Sequence, residues 1–235
     1  MKSSNPTAPG RRWLFALLAA CLLFGLTQAS VAQAATFVVN DTSDLPDADP
    51  NDGFCATSAG TCTLRAAIQQ ANASIGSDTI TLPAGAYAIT IAPASTPVIA
   101  PATDEDAASG DLDIIAPLTL IGAGPGATIV DGSGLDRVLE VHATAGNVTL
   151  RGLTLRNGIS AEDGGGIYNA SPGTVRLENV AVTGNTTVLE GGGVHAVNGR
   201  LIVAGGSVIS GNTARSGGGL YNAGELSPIG IPGRV

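Results

Sequence analysis

A phrase that returns every 26 or 27 residues constrains the fold of this chain most. Glycine triplets stand at 164–166, 191–193 and 217–219, and a stretch of alternating apolar residues precedes each triplet. A fixed period of this length indicates stacked structural units. The stretches that precede the triplets are VTLRGLTLRNG (148–158), VRLENVAVTGN (175–185) and LIVAGGSVISGN (201–212).

The alternation within each unit is that of a β-strand with one buried face. Val148 and Leu150, and then Leu153 and Leu155, follow the period of two that strands require. Pervasive glycine and the lack of helical spacing exclude a helical repeat, and the units are too long for leucine-rich repeats. We therefore predict an all-β fold, a right-handed parallel β-helix whose turns span 78–225 and whose equivalent strands pair about 4.8 Å apart.

The glycines and asparagines that recur in each unit have a structural explanation in such a coil. Each GGG triplet provides a tight bend or a close approach between backbones, which only glycine allows. The asparagine of each GN pair tolerates the left-handed conformation, and its amide can bond to the asparagine of the next turn. A phosphate-binding loop is excluded, because no GK[ST] follows the glycines and the only lysine is Lys2.

Residues 35–77 are predicted to cap the first turn, since an open solenoid end exposes apolar core. The segment contains a strand at 36–40 and an amphipathic helix at 63–74. Cys55 and Cys62 are predicted to form a disulfide in an exported chain. The predicted apolar face of the helix comprises Leu64, Ala67, Ile68, Ala71 and Ile75.

Residues 1–34 read as a secretory signal peptide, with Lys2, Arg11 and Arg12 before the apolar run 13–26 and Ala32-Gln33-Ala34 as the cleavage site. RRWLF and LAAC leave twin-arginine export and a lipid anchor open as alternatives. The run is too short for a comfortable membrane span, so we expect no span in the mature chain. Localisation is therefore predicted as secreted or cell-surface.

The mature chain is strongly acidic. Three of the eleven basic residues lie before residue 35, which leaves eight arginines against nineteen acidic residues and a net charge near −11. Such a surface repels nucleic acid and anionic membranes.

The end of the sequence departs from the repeat. Residues 226–235 contain Pro228 and Pro232, and proline removes donors that an interior strand needs. We therefore expect an irregular tail, a truncated coil and end-to-end self-association through an open edge.

Two motifs together resemble a known family. CTLRAAIQQAN (62–72) is similar to the CSLREA-type signature of exported bacterial β-helix proteins, with Ala66 in place of its glutamate. SGNTARSGGGLYN resembles the repeats of the same proteins and of polymorphic outer-membrane proteins. The resemblance implies a pectate-lyase-like coil, exported and often part of a longer surface protein, but no single activity.

Three candidate acids precede two successive glycine triplets. Glu162, Asp163 and Glu190 could form the carboxylate pair that glycoside hydrolysis needs, or the edge of a solvated acidic loop, which is the preferred interpretation. His195 falls in register with Tyr168 and Tyr221, which predicts a stacked Tyr–His–Tyr ladder without catalysis.

An acidic loop offers a second kind of site. Asp47, Asp49 and Asn51 are spaced like calcium ligands, although the glycine and the twelfth position do not fit an EF-hand. Calcium is therefore the one possible cofactor, and a plain acidic loop is the alternative.

The preferred function is a non-catalytic extracellular or cell-surface module, adhesin-like or glycan-binding, because solenoid faces form extended binding surfaces. Its expected partner is an extracellular glycan or a surface protein. The alternatives are a polysaccharide lyase or glycoside hydrolase acting on uronate-type polymers, and a structural spacer within a longer surface protein.

Overall fold

The computed structural model describes Lys2, residues 34–94 and residues 107–229. Residues 95–106 lie outside these residues, and so does the predicted signal peptide apart from Lys2 and Ala34. The described part holds one helix, α1 (Leu64–Ala73), which is not long and apolar enough to cross a membrane. The described strands are β1 (Thr36–Val38), β2 (Asp78–Leu82), β3 (Gly85–Ala88), β4 (Leu112–Ile114), β5 (Leu118–Gly122), β6 (Thr128–Asp131), β7 (Leu139–Val141), β8 (Val148–Arg156), β9 (Ile159–Ser160), β10 (Ile167–Asn169), β11 (Thr174–Thr183), β12 (Thr186–Thr187), β13 (Val194–Ala196), β14 (Arg200–Ala204), β15 (Val208–Ser210), β16 (Leu220–Asn222) and β17 (Glu225–Ile229).

All strand pairs are parallel, and they join equivalent segments of successive turns. The largest sheet runs β1-β2-β5-β8-β11-β14-β17, with β3, β6 and β15 attached beside it. A second sheet of five strands runs β4-β7-β10-β13-β16, and β9 pairs with β12. The coil makes about four turns, so the predicted all-β parallel β-helix with one short helix is confirmed.

The core consists of apolar side chains stacked in register inside the coil. Leu120, Leu150 and Leu177 occupy paired positions on β5, β8 and β11, and all three are fully buried. Each such side chain stabilises the fold by about 1.5–3 kcal/mol relative to an exposed one. Because successive residues of a strand face opposite sides, the same register fixes which residues lie outside.

The glycine triplets bend the chain where sterics exclude other residues. Gly191 has a φ of +65°, and a Cβ at this position would lie 2.4 Å from the carbonyl oxygen of Val194. Gly166 has no positive φ, but its Cβ would lie 2.5 Å from the Gly193 oxygen one turn away. Both predicted reasons for the triplets, the bend and the close approach, are confirmed.

Helix α1 covers the start of the coil as predicted. The Thr63 hydroxyl caps it by accepting from the Ala66 amide at 3.1 Å, and Leu64 and Ile68 are buried in the core. The assignment of Ile75 to the apolar face was wrong, because the helix ends at Ala73 and Ile75 is 76% exposed.

Two further contacts fasten the cap. Cys55 and Cys62 form the predicted disulfide, with Cα atoms 5.2 Å apart. The Arg65 side chain, which is fully buried, pairs with Asp44 at 2.6 Å and also donates to the carbonyl oxygens of Ala107 and Gly110. Arg65 thus connects helix α1 to the loop at Asp44 and to the segment directly before β4.

Residues 226–229 differ from the predicted irregular tail. They continue β17, which pairs in parallel with β14 and places Leu226 beside Leu201 and Pro228 beside Val203. Pro228 is tolerated because β17 is a terminal strand of its sheet among the described residues, so none of their strands needs its missing N–H group. The rest of the predicted tail, residues 230–235 with Pro232, lies outside the described residues.

Candidate functional site

The middle residues of the five-stranded sheet form a single row on its outer face, which we call the outer row. The flanking apolar residues of these strands, such as Leu139 and Val141, are buried in the core, so the middle residue faces outward. The register pairs these middle residues in succession from β4 to β16. The outer row is Asp113, Glu140, Tyr168, His195 and Tyr221.

An arginine holds several acids of this face together. Arg137 lies two residues before β7. Its guanidinium pairs with Asp111 at 3.4 Å and forms an ion pair and a hydrogen bond with Glu140. Glu162 approaches the same guanidinium at 4.0 Å, and the Arg137 charge lies 5.2 Å from the ring centre of Tyr168. Arg137 is therefore a shared positive partner for Glu140 of the outer row and for the neighbouring Asp111 and Glu162.

Burial changes the ionisation of these groups. Desolvation raises the pKa of Asp111 well above its ordinary value, although the positive charge of Arg137 opposes the shift. Desolvation also raises the pKa of Glu140, against the charges of Arg137 and His142, and it raises the pKa of Tyr168. For Arg137, burial alone would lower the pKa, but the surrounding carboxylates, Asp111 first, raise it.

A histidine completes the first cluster. His142 Nε2 lies 2.8 Å from Asp113 Oδ1, within hydrogen-bonding distance, and 3.7 Å from Glu140 Oε1. One atom each from Asp113, Glu140 and His142 lies within 4.8 Å of the others. This first cluster is compact, and its imidazole already has a carboxylate partner.

A second cluster lies two turns further along. Asp163, Glu190 and His195 also bring one potential ligand atom each within 4.8 Å of one another. Asp163 Oδ1 accepts from the Glu190 amide at 2.9 Å, and its other oxygen lies 3.3 Å from His195 Nδ1. The His195 Nδ1 contact satisfies the distance of an ion pair but not the geometry of a hydrogen bond, so this buried nitrogen has no hydrogen-bond partner.

The predicted Tyr–His–Tyr ladder is present. The His195 ring lies edge-on between Tyr168 at 5.5 Å and Tyr221 at 5.0 Å, measured between ring centres. Edge-to-face contacts of this kind stabilise ring pairs beyond their burial. The two tyrosines are partly exposed and His195 is buried, so the ladder fixes the orientation of the imidazole.

The three predicted acids do not form one group. Asp163 and Glu190 meet at His195, whereas Glu162, with a side chain that is 50% exposed, faces Arg137 instead. The sequence reasoning missed the first cluster around Glu140 and Arg137. The signal was present in the sequence: LDI and LEV each place an acid between two apolar residues, 27 positions apart.

The predicted calcium residues lie in a loop whose carboxylates bond to the loop itself. Asp47 accepts from the amides of Asp49 at 2.9 Å and Ala56 at 3.1 Å. Asp49 accepts from the amide of Asn51 at 3.1 Å. Calcium binding by Asp47, Asp49 and Asn51 stays a prediction.

The outer face thus offers three chemistries along one sheet: hydrogen-bonding tyrosines, a carboxyl group of raised pKa beside an arginine, and two carboxylate–histidine clusters. Comparison of the chain with protein-family models gives no match, and comparisons with curated proteins and with solved structures give none either. The resemblance carried by CTLRAAIQQAN therefore stays a prediction.

Proposed function

We propose that the chain is an exported, non-catalytic binding module whose outer row binds a hydroxyl-rich ligand, an extracellular or cell-surface glycan. One observation carries the proposal: the five-stranded sheet aligns Glu140, Tyr168 and Tyr221 in one row of partly exposed polar side chains. Five strands about 4.8 Å apart extend this row over about 19 Å, which suits an elongated ligand.

The chemistry of the row matches sugar hydroxyls. Carboxylate oxygens accept hydrogen bonds, and phenol groups both donate and accept them. Glu162 adds an exposed carboxylate beside the row. Tyrosine also offers apolar ring surface at low cost in conformational entropy.

Two features support export. The Cys55–Cys62 disulfide suits an oxidising compartment, because cytosolic thiols are kept reduced. The CTLRAAIQQAN motif supports membership of the exported bacterial β-helix class with CSLREA-type signatures.

A polysaccharide lyase or hydrolase is the second candidate, and the raised pKa of Glu140 favours it. A carboxyl group whose pKa is raised holds its proton more strongly, as a general acid must before it donates that proton. Against this, Glu140 is bound to Arg137, while Asp111 and Asp113 are too buried to touch a polymer.

A glycan-array screen of residues 35–235, followed by calorimetry with the ligand found, tests the proposal. Tyr168→Ala and Tyr221→Ala should each weaken binding about fivefold or more, since truncating an anchoring aromatic residue costs about 1 kcal/mol or more. Phe54→Ala is the matched control, because Phe54 is an exposed aromatic residue of the cap loop.

Two results would contradict the proposal. Multi-turnover release of reducing or unsaturated ends from uronate polymers, lost in Glu140→Gln, would establish the enzyme. Absence of glycan binding across the array would leave the structural spacer as the better explanation.

A further inference from the structure

We propose that Asp163, Glu190 and His195 form a binding site for one divalent transition-metal ion, with Zn²⁺ as the best match. The inference goes beyond glycan binding and does not depend on it. Its basis is the second cluster, in which two carboxylates and a buried imidazole nitrogen converge within 4.8 Å.

The separation of the ligand atoms suits a metal better than a hydrogen bond. His195 Nδ1 and Asp163 Oδ2 lie 3.3 Å apart. Two atoms bound to a tetrahedral Zn²⁺ at about 2.0–2.1 Å lie about 3.3–3.4 Å from each other. The nitrogen is buried and lacks a hydrogen-bond partner, which is costly unless another ligand satisfies it.

The first cluster supplies an internal contrast. There His142 Nε2 is 2.8 Å from Asp113 Oδ1, and Arg137 balances the charge of Glu140. In the second cluster, none of the arginines in the described ranges forms an ion pair with Asp163 or Glu190. The two carboxylates of the second cluster therefore have no arginine within the described part of the chain to balance their charge, and the imidazole nitrogen beside them has no hydrogen-bond partner. A bound metal ion would satisfy both.

The fold holds the three side chains before any ion binds. The Glu190 amide donates to Asp163 Oδ1, which turns the other oxygen toward His195. Tyr168 and Tyr221 fix the imidazole between them. Gly191, with its positive φ, turns the chain directly after Glu190, so that this residue and His195 meet across one bend.

The ligand types select the metal. An imidazole nitrogen with two carboxylates suits zinc and neighbouring transition metals, whereas Ca²⁺ prefers oxygen ligands alone. Three protein ligands leave the fourth tetrahedral position to water or to a ligand atom. Glu190 and Asp163 are only partly buried, so an ion can enter from solvent.

Titration of the metal-free protein, residues 35–235 without a polyhistidine tag, with Zn²⁺ tests the site. We expect calorimetry to show one bound Zn²⁺ per chain, and a chelator to remove it. Bound Zn²⁺ should also raise the melting temperature of the protein. His195→Gln and Asp163→Asn should each weaken Zn²⁺ binding about tenfold or more. Substituted Co²⁺ should give the visible absorption of a four-coordinate ion, and millimolar Ca²⁺ should not displace it.

The matched controls are His142→Gln, which removes the histidine of the first cluster, and Glu162→Gln, which removes the neighbouring exposed carboxylate. Both should retain one Zn²⁺ per chain. Binding that survives His195→Gln and Asp163→Asn in proteins with native circular dichroism overturns the proposal. So does the absence of any Zn²⁺ uptake by the unmodified chain. Neither result depends on a glycan, so this proposal and glycan binding can fail separately.

Discussion

Asn185 and Asn212 occupy successive turns, and the side-chain amide of Asn185 donates to Asn212 Oδ1 over 3.0 Å. The side-chain oxygen of Asn185, Oδ1, accepts in turn from the Gly158 amide at 2.8 Å. The predicted asparagine bond between turns is therefore confirmed. A fully buried amide with partners on both sides joins three turns of the coil.

Asn185→Ala should lower the free energy of unfolding by about 1–3 kcal/mol, because the buried Gly158 amide loses its acceptor. Urea denaturation followed by circular dichroism measures the change. Asn198→Ala, at an exposed asparagine, is the matched control and should stay within about 0.5 kcal/mol of the parent. Equal losses in both variants would contradict the role of the buried bond.

Gly166→Ala should destabilise the coil by about 2 kcal/mol or more. The new Cβ would lie 2.5 Å from the Gly193 carbonyl oxygen, so the two turns would have to separate. Gly126→Ala is the control, because a Cβ there meets nothing within 4 Å. Thermal and urea unfolding compare the two, and a stable Gly166→Ala protein would refute the close approach.

Asp131 should make stability depend on acidic pH. Burial alone would raise its pKa, but hydrogen bonds from the Ser133 amide and from the Arg156 and Asn157 side chains hold the pKa below its ordinary value. Because the folded-state pKa lies below the unfolded one, the stabilisation is present above about pH 4. It is lost as the pH falls through the folded-state pKa.

Asp131→Asn should accordingly cost about 1–3 kcal/mol at pH 7 and much less near pH 2. Arg156→Gln should remove part of the same pH-dependent component. Urea unfolding at a series of pH values measures both effects. A cost that is the same at every pH would show that the charge of Asp131 contributes nothing.

Arg65→Met should destabilise the protein by about 3–5 kcal/mol, since it leaves the buried Asp44 carboxylate without its cation. Arg151→Met removes an ion pair with Glu178 in which the arginine side chain is 52% exposed, and should cost at most about 1 kcal/mol. Urea unfolding of the two variants compares the buried pair with the exposed one. Similar losses of stability in both would contradict the prediction that the buried pair contributes more.

Residues 35–235 should self-associate at micromolar concentration. Strands β15, β16 and β17 have no neighbour on their outer side among the described residues, and Val208 and Leu226 are both about half exposed. An unpaired strand edge of this kind templates pairing with another chain. Sedimentation velocity over a concentration series measures the association, and a monomer at all concentrations would contradict it.

The repeat predicted the coil because the same local rules apply in every turn. The apolar alternation at Val148 and Leu150 reflects which strand face is buried, and the spacing of the glycine triplets reflects where the chain must bend. Both patterns are visible in a single sequence. Ile75 was misassigned because helical spacing does not show where a helix ends. Pro228 was misassigned because edge strands tolerate residues that interior strands exclude.

The candidate site was only partly predictable. Register alignment placed His195 between Tyr168 and Tyr221, because all three follow a glycine triplet. Arg137 and Asp111 lie in less regular turns, and their contact depends on the coil bringing residues 26 positions apart side by side. The repeat does not encode side-chain geometry. That geometry decides which acids pair with an arginine and which lie beside a histidine.

The outer row also has a consequence for how such a chain can change. Strands β7 and β10 each place one partly exposed residue between two buried ones, so Glu140 and Tyr168 could be exchanged while the core ladders stay the same. The surface can therefore diversify one turn at a time, and new binding properties can be installed on a fixed scaffold without redesigning its interior.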